Sequence, residues 1–246
     1  MTNGVISHQE KRSILRTIKG IDSGGAGAIF PIRHADLSII GYMRSIDSSV
    51  LDDTLLVQAM AEARTRHKTS FLTQFDVTVE NKRKWLEKGI LENDDRVLFL
   101  IEAADHTVVG QDGLTIYEDN TFALDGTLRW VPRYGHKDLY VRSGIERAAI
   151  CFFLLQCRLS TTEVFKDNIA NVKNSLRMGH EIIGEYPLFL CEKNRTFIYS
   201  KIEDPEKSNT DRILLSFAMT KGRFCELHAA IAEHSTHQIH TEYPPQ

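Results

Sequence analysis

No apolar run in these 246 residues approaches the roughly 18–20 needed for a helix to cross a bilayer. No membrane partner is therefore expected. The N-terminus also lacks the apolar stretch of a secretory signal. Charge of one sign is not in excess: 30 Lys and Arg against 33 Asp and Glu leave a formal net charge of −3, which argues against a non-specific nucleic-acid binder. Cysteine is sparse. Cys151, Cys157, Cys191 and Cys225 have no metal-ligand spacing and three sit in apolar patterns, so they read as reduced core thiols of a cytoplasmic protein. A phosphate loop is missing too: the cluster Gly24-Gly25-Ala26-Gly27 is followed by no lysine and helix, and reads as a flexible connector. His234, His237 and His240 recur every three residues in a tail expected to fray, with no carboxylate or cysteine completing a site. No metal is expected.

What is present is ordinary globular sequence, 42% hydrophobic and 26% charged. Residues 1–36 look like an extension, with helical spacing at Ile14, Leu15 and Ile18 before the glycine-rich break. The core is expected from Leu37. A strand at Leu37–Ile46 leads into a helix over Ser49–Arg66, where Asp52 and Asp53 favour the dipole. Thr78 caps a third helix running to about Leu91. Apolar runs follow at Arg96–Ala103, Thr107–Tyr117 and Thr121–Val131, joined by the turns Ala104-Asp105-His106 and Glu118-Asp119-Asn120. Two tight turns in succession mean an antiparallel meander. Beyond it the pattern reads helix (144–156), strand (159–165), helix (168–178) and strands at 181–190 and 195–203. Two short helical stretches, Asp211–Thr220 and Arg223–Glu233, are expected to pack on the core or against the second subunit of a homodimer. The sum is an α/β chain of the α+β kind: a mixed, largely antiparallel central sheet flanked by helices. It divides into an N-terminal extension (1–36), a main domain (37–203) and a C-terminal helical extension (204–246).

The most telling unit runs from Asn168 to Gly179. Asp167 or Asn168 can cap a short helix, Ile169, Val172 and Leu176 fall on one face, and Gly179 suits the left-handed turn that ends it. Upstream, Ser143-Gly144-Ile145-Glu146-Arg147-Ala148 marks another helix start, although Ser143 with Glu146 is also a capping box that needs no ligand. With the runs Arg83–Leu86, Arg96–Glu102 and Val108–Gly110, the order and spacing of these motifs resemble the GNAT superfamily of acyl-CoA-dependent N-acyltransferases over roughly residues 37–203. The chain departs from the family pattern at Val141, Glu146, Ser175 and His180.

The resemblance implies splayed mid-sheet strands with coenzyme A threaded between them, its pyrophosphate held by the free N–H groups of a helix start. That start would be Gly144, whose missing side chain lets a phosphate approach closely, with Ser143, Lys137 and Arg142 beside it and Asn168 opening the late helix. A backbone N–H at Trp130 or Val131, near the end of the splayed strand, would polarise the thioester carbonyl. Many family members place a tyrosine as acid for the leaving thiolate in the late helix, where this chain has Ser175. A serine is a far weaker acid, so a water takes that role or Ser175 only binds the coenzyme. For a base the meander offers Asp125 and Glu102. Each also reads as an ordinary surface or strand-end carboxylate. The donor would be acyl-CoA, acetyl or longer.

For the acceptor, the resemblance points to enzymes that N-acylate amino sugars on nucleotide carriers for surface polysaccharide, hence to a dTDP- or UDP-linked amino sugar. Arg129, Arg133 and Lys137, with the cluster Arg64-Thr65-Arg66-His67-Lys68, would receive its diphosphate, and Tyr186 would line the acceptor pocket. Residues 64–68 equally read as a solvated helix end. Two other readings stay open: a peptide Nα-acetyltransferase, and a module that binds acyl-CoA without transfer, for which Glu146 and Ser175 are the motive.

Overall fold

The computed structural model describes residues 6–22, 24–131 and 134–242, with side chains to Ser235. Ser7 opens the first helix, α1 (His8–Ile18), through a reciprocal capping box with Glu10. A hairpin follows, β1 (Ile29–Arg33) and β2 (Ile39–Ser45). Asp53 caps α2 (Thr54–Arg66) by accepting from the Leu56 N–H. After the short β3 (Thr73–Gln74), Thr78 caps α3 (Val79–Leu86), which ends in a π-turn to Leu91. The meander is β4 (Arg96–Ala103), β5 (Val108–Ile116) and β6 (Thr121–Arg129). Then come α4 (Leu139–Ala149), β7 (Leu159–Phe165), α5 (Ile169–Met178), β8 (Glu181–Lys193), β9 (Thr196–Lys201), β10 (Ile213–Thr220), α6 (Lys221–Leu227) and α7 (Ala229–Glu242).

These strands make one ten-stranded sheet in the order β1-β2-β4-β5-β6-β7-β10-β8-β9-β3, antiparallel throughout except between β6 and β7. The expected mixed, largely antiparallel sheet with flanking helices is what forms. Strand β4 shows why it is apolar end to end. Val97, Phe99 and Ile101 pack with α1, α4 and α7 on one face, while Leu98 and Leu100 pack under α2 and α3 on the other. No helix among the described residues is long and apolar enough to cross a membrane.

Several sequence expectations are corrected. Within the expected N-terminal extension, Leu15 and Ile18 of α1 are buried in the main core, and β1 forms a sheet edge. The helix expected at 144 begins at Leu139. The run 213–220, expected as a helix, is strand β10, buried between β7 and β8. Its sequence Ile-Leu-Leu-Ser-Phe-Ala-Met is apolar on both faces, and periodicity alone cannot tell such a strand from a buried helix. The tail expected to fray continues as α7 to Glu242; the side chains of His237 and His240 lie outside the described residues. On α5, Ile169 and Leu176 are exposed, and the helix buries Ser175 and Met178 instead.

Phe217 is fully buried at the middle of β10. Phe217→Ala is expected to lower unfolding free energy by about 3–5 kcal/mol in a denaturant titration. Truncation after Asp204, which removes β10 from between two strands, is expected to abolish the cooperative transition.

Candidate active site

The site begins with a gap in the sheet. Strands β6 and β7 run parallel and pair only over Thr121–Ala123 and Leu159–Thr161. Beyond that the ladder fails. Side chains replace it first, Thr162 Oγ1 donating to the Leu124 carbonyl at 3.2 Å. On its other edge β6 carries a bulge opposite Gln111–Gly113, with Gly126 in the left-handed region at φ 66°. Glycine meets that backbone without strain, and a bulge bends its strand. The strands therefore diverge around a cleft of about 810 Å³, walled by Leu124–Thr127 and Thr162–Phe165. Tyr140 and Arg147 of α4 and Asn171, Asn174, Ser175 and Met178 of α5 reach it from the helices. The segment after α2 and Tyr186, Lys201 and Ser216 complete it.

Beneath the cleft lies a buried ionic network. Asp112 of β5 is fully buried; it accepts from Ser143 Oγ and stands 3.3 Å from Arg147 Nη2. That last contact is an ion pair without hydrogen-bond geometry, since the Asp112 Oδ1 has no hydrogen bond. Arg147 also donates to the Gly113 carbonyl, which ties α4 to the strand before the bulge. Burial pushes the Asp112 carboxyl up, and Arg147 and Ser143 hold it down.

Helix α4 starts five residues earlier than the sequence suggested, and this reassigns its residues. Ser143 caps nothing: inside the helix it bonds Asp112 and the Tyr140 carbonyl. Gly144 serves helix packing, since a Cβ there would overlap Met178 Sδ of α5. Glu146 is engaged by β1. Its carboxylate accepts from the backbone and guanidinium of Arg33 on β1, and burial raises its pKa to about 7 against the pull of Arg33. The helix start is now Asp138, which leaves its cap unmade because its carboxylate pairs with Arg177. Lys137 is exposed just before this start and Arg142 is half-buried in the first turns. Gly135, at φ 76° in the preceding loop, is the signal that sequence reasoning missed. His34, His136 and Asp138 also bring ligand atoms within 4.8 Å of one another. Part of that donor set is used internally, by Arg177 and by the Asp138 N–H on His136 Nδ1.

Other expected residues divide. The N–H groups of Trp130 and Val131 both donate to the Val109 carbonyl, at 2.8 and 3.3 Å, and so are taken by the sheet. Trp130 packs with the α2–α3 core instead. The backbone on the cleft is Leu124–Thr127, and Gly126 inside a strand pattern was its legible sign. Asp125 is on the cleft wall, with one oxygen bonded to Arg96 and Thr115 Oγ1, both at 2.9 Å. Glu102 is not on the cleft: it lies at the far end of β4, bonded to Arg44 at 2.7 Å and His106 at 3.1 Å. Arg129 stacks over Tyr140 at 4.7 Å. Tyr186 lines the cleft under Lys201, and so does Ser175. Asn168 caps α5 and Gly179 ends it at φ 100°, as expected. The basic cluster breaks up: Arg64 faces the cleft, Arg66 bonds the Trp130 carbonyl and Lys68 pairs with Asp76. Arg133 lies outside the described residues. His180 is a core histidine, buried, with Nε2 2.9 Å from Ser160 Oγ and its pKa lowered by burial to about 4.

No protein-family model matches the sequence, and no curated protein matches it either. Solved structures do resemble the fold. A GCN5-related N-acetyltransferase from Brucella melitensis superposes with a TM-score of 0.56 at 16% identity, over 80% of this chain and 82% of its own. FdhC, a nucleotide-linked sugar GNAT, gives 0.56 at 16% identity over 82% and 97%. Spermidine N-acetyltransferase from Vibrio cholerae, in complex with CoA and spermine, gives 0.53 at 14% over 74% and 96%. The fold is that of the GNAT acetyltransferases.

Arg147→Met would leave Asp112 buried without its cation, and is expected to cost about 3–5 kcal/mol of stability by urea titration. His180 supplies a pH signature. Its folded pKa of about 4 lies below the unfolded 6.5, so the unfolded chain gains the proton first. Its contribution is full above about 6.5 and is lost as pH falls toward about 4. Between about pH 7.5 and pH 5 the wild type should lose more stability than His180→Gln, which keeps a partner for Ser160.

Proposed function

We propose that this protein is an acyl-CoA-dependent N-acyltransferase, moving an acyl group from the thioester to a primary amine. The observation that carries this reading is the parting of β6 and β7 into a deep cleft, with the starts of α4 and α5 just beyond the two diverging strands. In this reading the pantetheine arm of the donor lies between Leu124–Thr127 and Thr162–Phe165, beside Asn171 and Ser175. Its pyrophosphate lies at the start of α4, where Lys137 and Arg142 add charge beside the first-turn backbone, the Leu139 N–H itself being given to the His136 carbonyl. The neutral amine attacks the thioester carbon, the carbonyl becomes an oxyanion, and its collapse breaks the C–S bond. The amine loses a proton and the leaving thiolate gains one. The β6 backbone around the Gly126 bulge replaces Trp130 and Val131 as the proposed carbonyl-polarising donor. Asp125, already bonded to Arg96 and Thr115, orients the acceptor more than it abstracts a proton. Ser175 contacts the coenzyme, and water supplies the proton to the thiolate.

For the acceptor we read a nucleotide-linked amino sugar, acylated in the cytoplasm for surface polysaccharide. A polyamine needs free carboxylates. Those on the cleft, Asp125 and Glu163, are already paired with Arg96 and Lys201, whereas Arg64 opens there with a buried Nη1 that has no hydrogen bond. That balance suits a neutral or anionic acceptor.

Calorimetry with acetyl-CoA and CoA is expected to give binding in the micromolar range. Thr162→Arg, which fills the cleft from its wall, should weaken it by about tenfold or more in protein that still unfolds cooperatively. Turnover is expected with a UDP- or dTDP-linked amino sugar and not with spermidine or peptides. Turnover on peptides would replace the sugar acceptor, and CoA binding without turnover on any amine would leave a binding module. A folded protein that binds no CoA would end the transferase reading.

A further inference from the structure

Behind the Arg64 side of the cleft three cationic side chains gather, and one of them, Arg96, is bonded to a carboxylate, Asp125. Lys82 of α3 is only 4% exposed, and its Nζ stands 4.0 Å over the Trp85 ring. Among the described residues it makes no hydrogen bond to a protein acceptor and no ion pair. Arg96 of β4 approaches the same ring at 5.5 Å; it gives Nη2 to Asp125 and leaves Nε buried without a partner. Arg64 of α2 lies flat on Phe71 at 3.6 Å and donates Nη2 to the Thr73 carbonyl. Its Nη1, also buried, has no partner, and neither has Asp125 Oδ1.

Such an arrangement is costly in an empty protein. A buried ammonium without a counter-charge loses its hydration and recovers little from an aromatic face. Burial lowers Lys82 to about 7, with Arg64 and Arg96 pushing in the same direction. Arg64 is itself lowered to about 10 by burial. Among the described residues Asp125 is the one carboxylate bonded to this group, through Arg96, with Tyr117 its neighbour on the cleft. A ligand bearing negative charge would supply the missing partner.

We propose that Arg64, Lys82 and Arg96 form an anion subsite on the acceptor side of the cleft, which takes the diphosphate of a nucleotide-linked acceptor. Arg64 makes the direct contact because it lines the cleft, while Lys82 and Arg96 stand behind it and set the field. Binding draws a proton onto Lys82, since a nearby dianion favours the ammonium. The subsite rests on the acyltransferase reading for its place beside an acyl donor. Its charge pattern stands without that reading.

UDP is the probe, titrated by calorimetry into protein saturated with CoA, so that a diphosphate cannot enter through the donor's own site. Two buffers of different ionisation heat at about pH 8 count the protons exchanged. Wild type is expected to bind UDP with uptake of up to about one proton, and to bind more weakly as pH rises from about 7 to about 9. Lys82→Met, which removes an uncompensated buried charge and should fold at least as well, is expected to bind about tenfold or more weakly and without uptake. Arg64→Met should weaken binding at least as much, and uridine without phosphates should bind far less than UDP. A CoA complex that ignores UDP, or a Lys82→Met protein that matches wild type in affinity and uptake, would overturn the subsite and leave the transferase reading intact. Failure of CoA to bind, with Lys82-dependent uptake on UDP binding to the free protein, would support the subsite and remove the transferase reading.

Discussion

Strands β6 and β7 hold one another over three residue pairs and then let go, and much of the molecule is arranged around that release. A parallel pair that separates exposes backbone groups that a sheet would normally satisfy. The protein manages this locally, with threonine hydroxyls reaching across the narrowing gap and a glycine bulge bending β6 away. It also manages it at a distance. Strand β7 keeps full pairing on its other side through β10, so that one edge can stand open without loss of the strand. Helix α4 follows β6 and anchors itself by Arg147 to the carbonyl of Gly113, on the strand that carries the other side of the bulge.

The ionic network under the cleft and the cations beside it are two solutions to the same problem. Asp112 and Arg147 are buried together, and each carries the other's counter-charge within the fold. Such a pair fixes the position of α4 against β5 at the expense of desolvation, and its value is in registration more than in net stability. Lys82 has no such partner among the described residues. Among these residues, the charges beneath the cleft are balanced within the fold, and those behind its Arg64 side are not.

The sequence made the local elements legible wherever a cap or a tight turn announced them. Thr78, Asn168 and Gly179 do what their residue types allow, and the turns at 104–106 and 118–120 define the meander. What sequence could not carry was burial on both faces. The run 213–220 is a strand because β7 and β8 both need a neighbour, a fact held by distant residues. Ser143 with Glu146 imitated a capping box, but Asp112 and Arg33 claimed those side chains, one from β5 and one from β1. The site suffered most from this. Asp125, Ser175, Tyr186 and Arg64 do line the cleft, while Glu102, Trp130 and Gly144 have partners elsewhere that no spacing rule reveals.

The position of β10 also constrains how the molecule comes into being. During synthesis β7 and β8 emerge well before the strand that must lie between them, and Phe217 finally sits opposite Thr162 on one side and Ile182 on the other. Until the chain has been made past Thr220, the half of the sheet beyond β7 cannot close, and two long edges are open to the wrong partner. Closure of the sheet beyond β7 therefore waits for synthesis of the chain through Thr220. In that interval the open edges of β7 and β8 are an aggregation hazard for the nascent protein.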